Sequence, residues 1–406
     1  MKASLIILCL ALSFLGFGQK IVVSGKVVDN ENQEPLPFAT VDLKDKSIGT
    51  ITNLQGEFDF HIPADMRNDF LTINMLGYKT YEAPVWSLLE IASTKPLVIE
   101  MVKSPVILSE VTIVDSLQAA DILRIAISRI DKNYPMRPFL MKGFYRDLKK
   151  LGGTYISMLE AAVKIYDEDY TEPRNKLRLR ERVALEEVRR SLGYDNKFTS
   201  FFDRDNLLQD LLLHNSVRYR HFPEEELVVT ALHREKDSFY HGNEIYVLAY
   251  NGDFQSRLFI EKKTYGIVHL EYENKQVEDL EKRRDLESKF VKEHRTIDFK
   301  SVAGKLYLSF IQVTSQINWY ERETGKLKFE TELQRQLMIN DIKPNSEEKV
   351  PISKRMKGYG LQFQDQKYNK DFWENYNVIK ATPLDKKIVE DLEKELPLEK
   401  QFKDDY

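Results

Sequence analysis

Seven histidines, His61, His214, His221, His233, His241, His269 and His294, are the side chains best suited to move a proton or hold a metal near neutral pH. None lies in an HExxH arrangement, which would set two imidazoles and a carboxylate on one helical face. His214 and His221 are spaced so that one helix could align them, but no carboxylate or further histidine occupies an obvious third position. The strained GxSxG turn that exposes a nucleophilic serine is absent. The SxxK pair Ser346 and Lys349 sits in a charged stretch where nothing would desolvate the lysine and lower its pKa. Gly358-Tyr359-Gly360 lacks the later glycine and the strand-to-helix setting of a phosphate-cradling loop. Asp203 and Asp205 could form an acid–base pair, but among 64 acidic residues such neighbours arise by chance. The residues therefore nominate no catalytic, cofactor-binding or metal-binding site.

The densest charge lies between Arg174 and Arg190, where Arg174, Lys176, Arg178, Arg180, Arg182, Arg189 and Arg190 alternate with Glu181, Glu186 and Glu187. Such a stretch could meet anionic head groups or an acidic partner. The spacing of Glu186 and Arg190 instead predicts an exposed helix over 177–192, stabilised by an i,i+4 pair. A second run, Glu278 to Arg284, nearly cancels its own charge and reads as a solvated turn or helix end.

The elements that would position these groups follow from the rest of the chain. Its 406 residues, 42% hydrophobic and 31% charged, suit two or three soluble units. The 20 Tyr and 22 Phe favour β structure, where flat rings pack on a pleated surface. A net charge of −4 leaves no basic excess for a phosphate backbone, so nucleic acid is not an expected partner. Met1-Lys2, the apolar run Leu5 to Leu15 and the small-x-small site Gly16-Phe17-Gly18 predict a cleaved signal peptide over 1–18 and an exported protein. The apolar run is shorter than the roughly 20 residues that span a bilayer, and no later segment supplies a span. Cys9 is the one cysteine and lies mid-run, so cleavage would leave no thiol.

Short strands with frequent turns fill 19–114. They include Phe38 to Leu43, Glu57 to Ile62, Phe70 to Met75 and Leu97 to Met101. Each has one face to bury, which calls for a second sheet. Residues 115–406 read as a larger antiparallel body. Helices are expected near 119–130, 177–192 and 383–395, the last entered at Thr382-Pro383. Lys142 to Leu148 predicts a strand, and Tyr155 to Tyr166 a strand with a helical alternative at Met158 to Ile165. Hairpins follow from Ser238 to Asn340, and a solvated loop spans Pro344 to Pro351.

The segments Gly25-Lys26-Val27-Val28-Asp29, Pro35-Leu36-Pro37-Phe38-Ala39-Thr40-Val41, Gly49-Thr50, Thr52-Asn53 with Gly56 and Phe58, and Leu76-Gly77-Tyr78-Lys79 resemble the carboxypeptidase-regulatory-like (transthyretin-like) domain. This domain is frequent at the front of exported Bacteroidetes proteins. The resemblance implies a β-sandwich without catalysis of its own. Gly49 and Gly56 would take positive φ in turns, and Asn53 would bond its own turn. Leu108 to Ile113 looks like the join to a plug and large outer-membrane barrel, but the helix from Ala119 and the remaining length do not fit a transporter. Gly143-Phe144-Tyr145-Arg146, with Glu160 and Tyr166, gives the second body a thinner resemblance to the half-barrels of periplasmic lipoprotein carriers. A half-barrel would offer a concave apolar face for a lipid-like guest, unless its own side chains fill it.

The fold expected is thus mostly β, an N-terminal sandwich followed by an antiparallel body of half-barrel type. The function expected is non-enzymatic binding of an envelope protein or apolar ligand, periplasmic or at the outer membrane, with the sandwich as docking module. Two alternatives stand beside it, a hydrolase whose site has no linear motif and a purely structural envelope component.

Overall fold

The computed structural model describes residues 20–104, 117–191, 201–202, 206–222, 231–356, 360–361, 368–380, 383–394 and 397–403. The leader, Asp203, Asp205, Gly358, Tyr359 and Thr382 lie outside these residues.

The N-terminal body forms because short strands alternate apolar and polar side chains. In β4 (Glu57–Pro63), Phe58, Phe60 and Ile62 are fully buried while their neighbours are half exposed. β4 pairs with β1 (Lys20–Asp29), and β1 pairs in parallel with β7 (Val98–Met101). The facing sheet orders β3 (Gly49–Ile51), β2 (Thr40–Leu43), β5 (Phe70–Asn74) and β6 (Tyr81–Pro84). A helix, α1 (Val85–Thr94), leads into β7. Between the sheets, Val23, Val27, Val41, Phe58, Phe60, Leu71, Ile73 and Ile99 make one core. The turn before β4 is built as its sequence predicts: the Asn53 Oδ1 accepts from Gln55 N at 2.9 Å and Glu57 N at 2.8 Å. Gly56 has φ +72°, and a Cβ there would lie 2.3 Å from the Val27 carbonyl oxygen. Gly49 is a correction, for it lies in β3 and not among the positive-φ glycines.

The second body is one open antiparallel sheet. Its order is β10 (Arg182–Arg190), β9 (Thr154–Asp167), β8 (Phe139–Leu151), β19 (Leu327–Lys343), β18 (Lys305–Glu321), β17 (Leu286–Val302), β15 (Ile267–Asn274), β14 (Gln255–Glu261), β13 (Asn243–Asn251) and β11 (His233–Arg234). β12 (Ser238–Tyr240) also pairs with β13, and β16 (Glu278–Arg283) with β17. Among the described residues β10 and β11 do not meet, so the sheet is not a closed barrel.

Each strand divides its side chains between two faces. In β8, Phe139, Met141 and Tyr145 enter the main core, whereas Phe144, Arg146 and Leu148 point the other way. The main core joins strands from both ends of the sheet with α2 (Ala119–Ser128), α3 (Ile130–Asn133), α4 (Leu207–Leu213) and α5 (Ser216–Tyr219). A sheet whose ends share one core must curl around it. Leu207, Leu208, Leu211 and Leu212 fill that inner face, with Leu211 fully buried. The remaining helices are α6 (Lys370–Glu374), α7 (Pro383–Leu392) and α8 (Leu398–Lys403).

Two further sequence expectations fail. The helix over 177–192 is instead a loop followed by β10, whose Val183 and Val188 are buried against the core. The adjoining β9 supplies a ladder along the whole strand, and Glu186 bonds Lys164 across it at 3.1 Å. Tertiary pairing outweighs a local i,i+4 preference worth only about 0.2–0.5 kcal/mol. Glu278 to Arg283 is likewise an exposed strand and not a turn or helix end. Met158 to Ile165 is strand throughout. No helix among the described residues is long and apolar enough to cross a membrane.

Candidate functional site

The outer face of the sheet is where the two bodies meet. Lys300 of β17 extends its Nζ to the Asp42 Oδ1 at 2.9 Å and the Ser47 carbonyl at 3.2 Å. A Cβ on Gly49 would stand 1.9 Å from that Asp42 oxygen, so glycine is required here for space. The Ser47 hydroxyl donates to Asp341 Oδ1 at 2.7 Å, and Phe38 stacks on Phe310 with centroids 5.4 Å apart. Leu76 packs among Tyr240, Ile245, Val247, Phe259 and Val268. Polar pairs set the register, and aromatic and aliphatic contacts exclude water around them.

Residues 368–380 run across this junction as a strap. Trp373 lies edge-on to Phe144 at 6.3 Å, with the Arg189 guanidinium 4.4 Å from its ring centre. The Tyr376 hydroxyl donates to the Gly143 carbonyl at 3.0 Å, and Asn340 Nδ2 to the Asn377 carbonyl at 2.8 Å. The Asn377 side chain then accepts from His61 N at 2.8 Å and donates to His61 O at 3.3 Å. One amide thus satisfies both backbone groups of a residue in β4, which is an edge strand of its sheet. Lys380 closes the strap on Asp59 at 3.0 Å.

Beneath the strap, Glu160 is buried between two arginines. Arg146 Nε donates to its Oε1 at 2.7 Å and Arg189 Nε to its Oε2 at 2.5 Å. Burial pushes this carboxyl up, but the Arg189 and Arg146 guanidiniums outweigh it and hold the pKa below the ordinary value. Of the phrase singled out in the sequence, Phe144, Arg146 and Glu160 come together here. Tyr145 faces the opposite core, and Tyr166 packs with Leu140, Ala184 and Val350. The cleft lined by Phe38, Asn53, Arg146, Tyr155, Gln336 and Ile379 has a volume of about 50 Å³, room for water but not for an acyl chain.

Two titratable clusters could do chemistry. On the outer face, His269 Nδ1 lies 2.6 Å from Asp298 Oδ1, and its Nε2 lies 3.4 Å from Glu271 Oε1. Burial alone would lower the His269 pKa, yet Asp298 and Glu271 outweigh it and raise it to about 10. The imidazole therefore holds both protons near neutral pH and has no lone pair to act as a base. On the inner face, Asp167 grips the fully buried Arg218 through Nε at 2.6 Å and Nη2 at 3.1 Å. The Tyr219 hydroxyl donates to the neighbouring Glu181. Burial, with the nearby Asp167 charge, pushes Glu181 up to about 7 against the pull of Arg218.

Of the other sequence candidates, His214 and His221 lie within reach of each other's charge and of Arg295, with no acid–base partner joining them among the described residues. His214 caps α4 and His221 follows α5, on separate helices. Burial lowers both pKa values, that of His214 to about 3. Ser346 donates to the Glu348 carbonyl within its loop. Among the described residues no three His, Cys, Asp or Glu side chains are placed to hold a metal ion. Asp42, Asp298, Lys300, Trp373 and Asn377 were not singled out in sequence. The aromatic phrase Phe372-Trp373-Glu374-Asn375-Tyr376 was the available signal for the strap.

Residues 23–113 match the family model of the CarboxypepD_reg-like domain, and the N-terminal sandwich is a carboxypeptidase-regulatory-like domain. That match covers under a quarter of the chain. No curated protein matches. Among solved structures, a study of lipid–protein interactions in lipovitellin aligns at 8% identity over 53% of this chain and 26% of that one, with a TM-score of 0.24. This chain thus spans about a quarter of that protein. The MucA/MucB complex of Pseudomonas aeruginosa aligns at 9% identity over 56% of this chain and 99% of that one, TM-score 0.18. MucB alone aligns at 10% over 55% and 92%, TM-score 0.19. At these scores the likenesses assign nothing to the second body.

Proposed function

We propose that the protein is a non-enzymatic cell-envelope protein that binds a protein partner through its N-terminal sandwich. Under this reading residues 1–18 are a cleaved leader, 19–114 dock, and 115–406 hold the docking module in place. The observation that carries it is the occupancy of the sheet. Among the described residues its inner face is packed by α2 and α4 and much of its outer face by the sandwich and strap, and the open cleft of about 290 Å³ beside Arg257, Glu271 and His294 is polar, so recognition is assigned to exposed surface. The sandwich offers such a surface at Phe70 and Trp86, which are 43% and 46% exposed. They are neighbours, since Phe70 pairs with Pro84 and Trp86 N bonds the Arg67 carbonyl. Aromatic side chains of this kind anchor protein interfaces. The hydrolase alternative needs a group free to move a proton. His269 is held between two carboxylates, and Glu181 is sealed beside Tyr219 and Arg218.

A photocrosslinking amino acid in place of Trp86 tests this in producing cells. A discrete adduct with one envelope protein is expected, weakened by Phe70→Ala. Absence of any adduct, with the protein folded and exported, would overturn the reading.

A further inference from the structure

With no helix over 177–192, the basic stretch takes on a different meaning. One end of the curled sheet gathers three segments around Arg220. Its guanidinium donates to the Tyr170 carbonyl at 2.7 Å and reaches Asp131 at 3.4 Å, while its own carbonyl accepts from Lys176 Nζ at 3.3 Å. Among the described residues at this end, Asp131 pairs with Arg220, Glu172 with Lys176 and Glu168 with Arg182, while Asp169 accepts from the Thr171 amide. The exposed Arg174, Arg178 and Arg180 have no ion-pair partner among the described residues. Between them stands Leu177, 81% exposed, a large apolar side chain held out in water.

The loop is also built to keep that shape. Pro173 is buried, Leu179 packs on the main core, and the Arg180 amide donates to the Tyr219 hydroxyl at 3.1 Å. The Asn175 side chain accepts from Leu177 N at 2.9 Å and fixes the tip. Exposed Met136 and Arg137 belong to the segment whose Pro135 carbonyl bonds Tyr170 N, and add an apolar and a basic group to the same end.

We propose that Arg174 to Arg180 is a membrane-contact loop that seats this end of the molecule on an anionic phospholipid surface. The arginines meet phosphates while Leu177 enters the head-group boundary. An acidic protein surface would satisfy the arginines equally well, but Leu177 and Met136 stand out beside them at one end of the molecule, as insertion at a head-group boundary requires. A bilayer uses both.

Cosedimentation of the full mature chain with vesicles tests this. Vesicles of phosphatidylglycerol and phosphatidylethanolamine should bind, pure phosphatidylcholine should not, and high salt should release the protein. Replacing Arg174, Arg178 and Arg180 together by Gln should weaken binding at least tenfold, since each basic residue at such a surface contributes roughly fivefold. Leu177→Ala should cost about fivefold and Leu177→Trp should strengthen binding. All four side chains are exposed, so unchanged unfolding curves should accompany each variant. Equal binding to neutral vesicles, or an undiminished arginine triple variant, would overturn the proposal. So would an arginine-dependent affinity indifferent to Leu177, which would reduce the contact to surface charge without insertion.

Discussion

The two faces of the large sheet solve the same problem in different ways. The inner face is closed by helices from its own body, with leucines supplying most of the contact and the ion pairs Asp167–Arg218, Asp147–Lys149 and Asp210–Arg335 set among them. The outer face is closed by a separate domain and a strap, with polar pairs joining one body to the other, as in Asp42–Lys300, while Glu160 and its arginines lie beneath the strap. Burial of apolar area is non-directional and gives stability. Paired polar groups hold one arrangement against alternatives. The inner face therefore stabilises the body, while the outer face orients the sandwich upon it.

Substitutions can break this contrast. Arg218→Met should have the largest effect, about 3–5 kcal/mol in urea denaturation, because Asp167 is left buried without its partner. Leu211→Ala should follow at about 2–5 kcal/mol, a cavity in the same face, with one cooperative transition preserved. Lys300→Met should cost about 2 kcal/mol and act differently. It should loosen the sandwich from the sheet and separate a low-temperature step in calorimetry. A single unsplit transition would mean that the domains are not held by this pair.

The two faces should also titrate in different windows. Glu181 has its native pKa raised from 4.5 to about 7, so its contribution is fully present below 4.5 and is lost as pH rises through 7. His269 is raised from 6.5 to about 10, so its contribution is present below 6.5 and lost as pH rises through 10. Stability measured against pH should therefore fall in the lower window for the parent but not for Glu181→Gln, and in the upper window for the parent but not for His269→Phe. The smallest expected effect is Asn377→Ala, about 1 kcal/mol. It should appear as faster hydrogen exchange at the His61 amide and not as a changed global transition.

The sandwich was legible because its signals are local. Asn53 and Gly56 shape one turn, and alternate residues of Glu57 to Ile62 mark one strand. The outer-face site was only partly legible. Arg146 and Glu160 both stand out in the sequence, but their pairing depends on the β8–β9 hairpin. Gly152 and Gly153, both at positive φ, turn the chain and place Arg146 opposite Glu160. That register was open to reading. Asp42 and Lys300 are 258 residues apart, and no spacing rule links them. The stretch over 177–192 misled because alternating Glu and Arg satisfy a helix's surface pairs as well as an edge strand's cross-strand ones.

The most direct test is the mass of the intact protein after extraction from the envelope in a mild detergent with a high-salt wash, by native mass spectrometry. A sheet filled on both faces should yield the polypeptide without lipid. One lipid molecule retained per chain would contradict it, and would mean that the inner helices yield to an apolar guest.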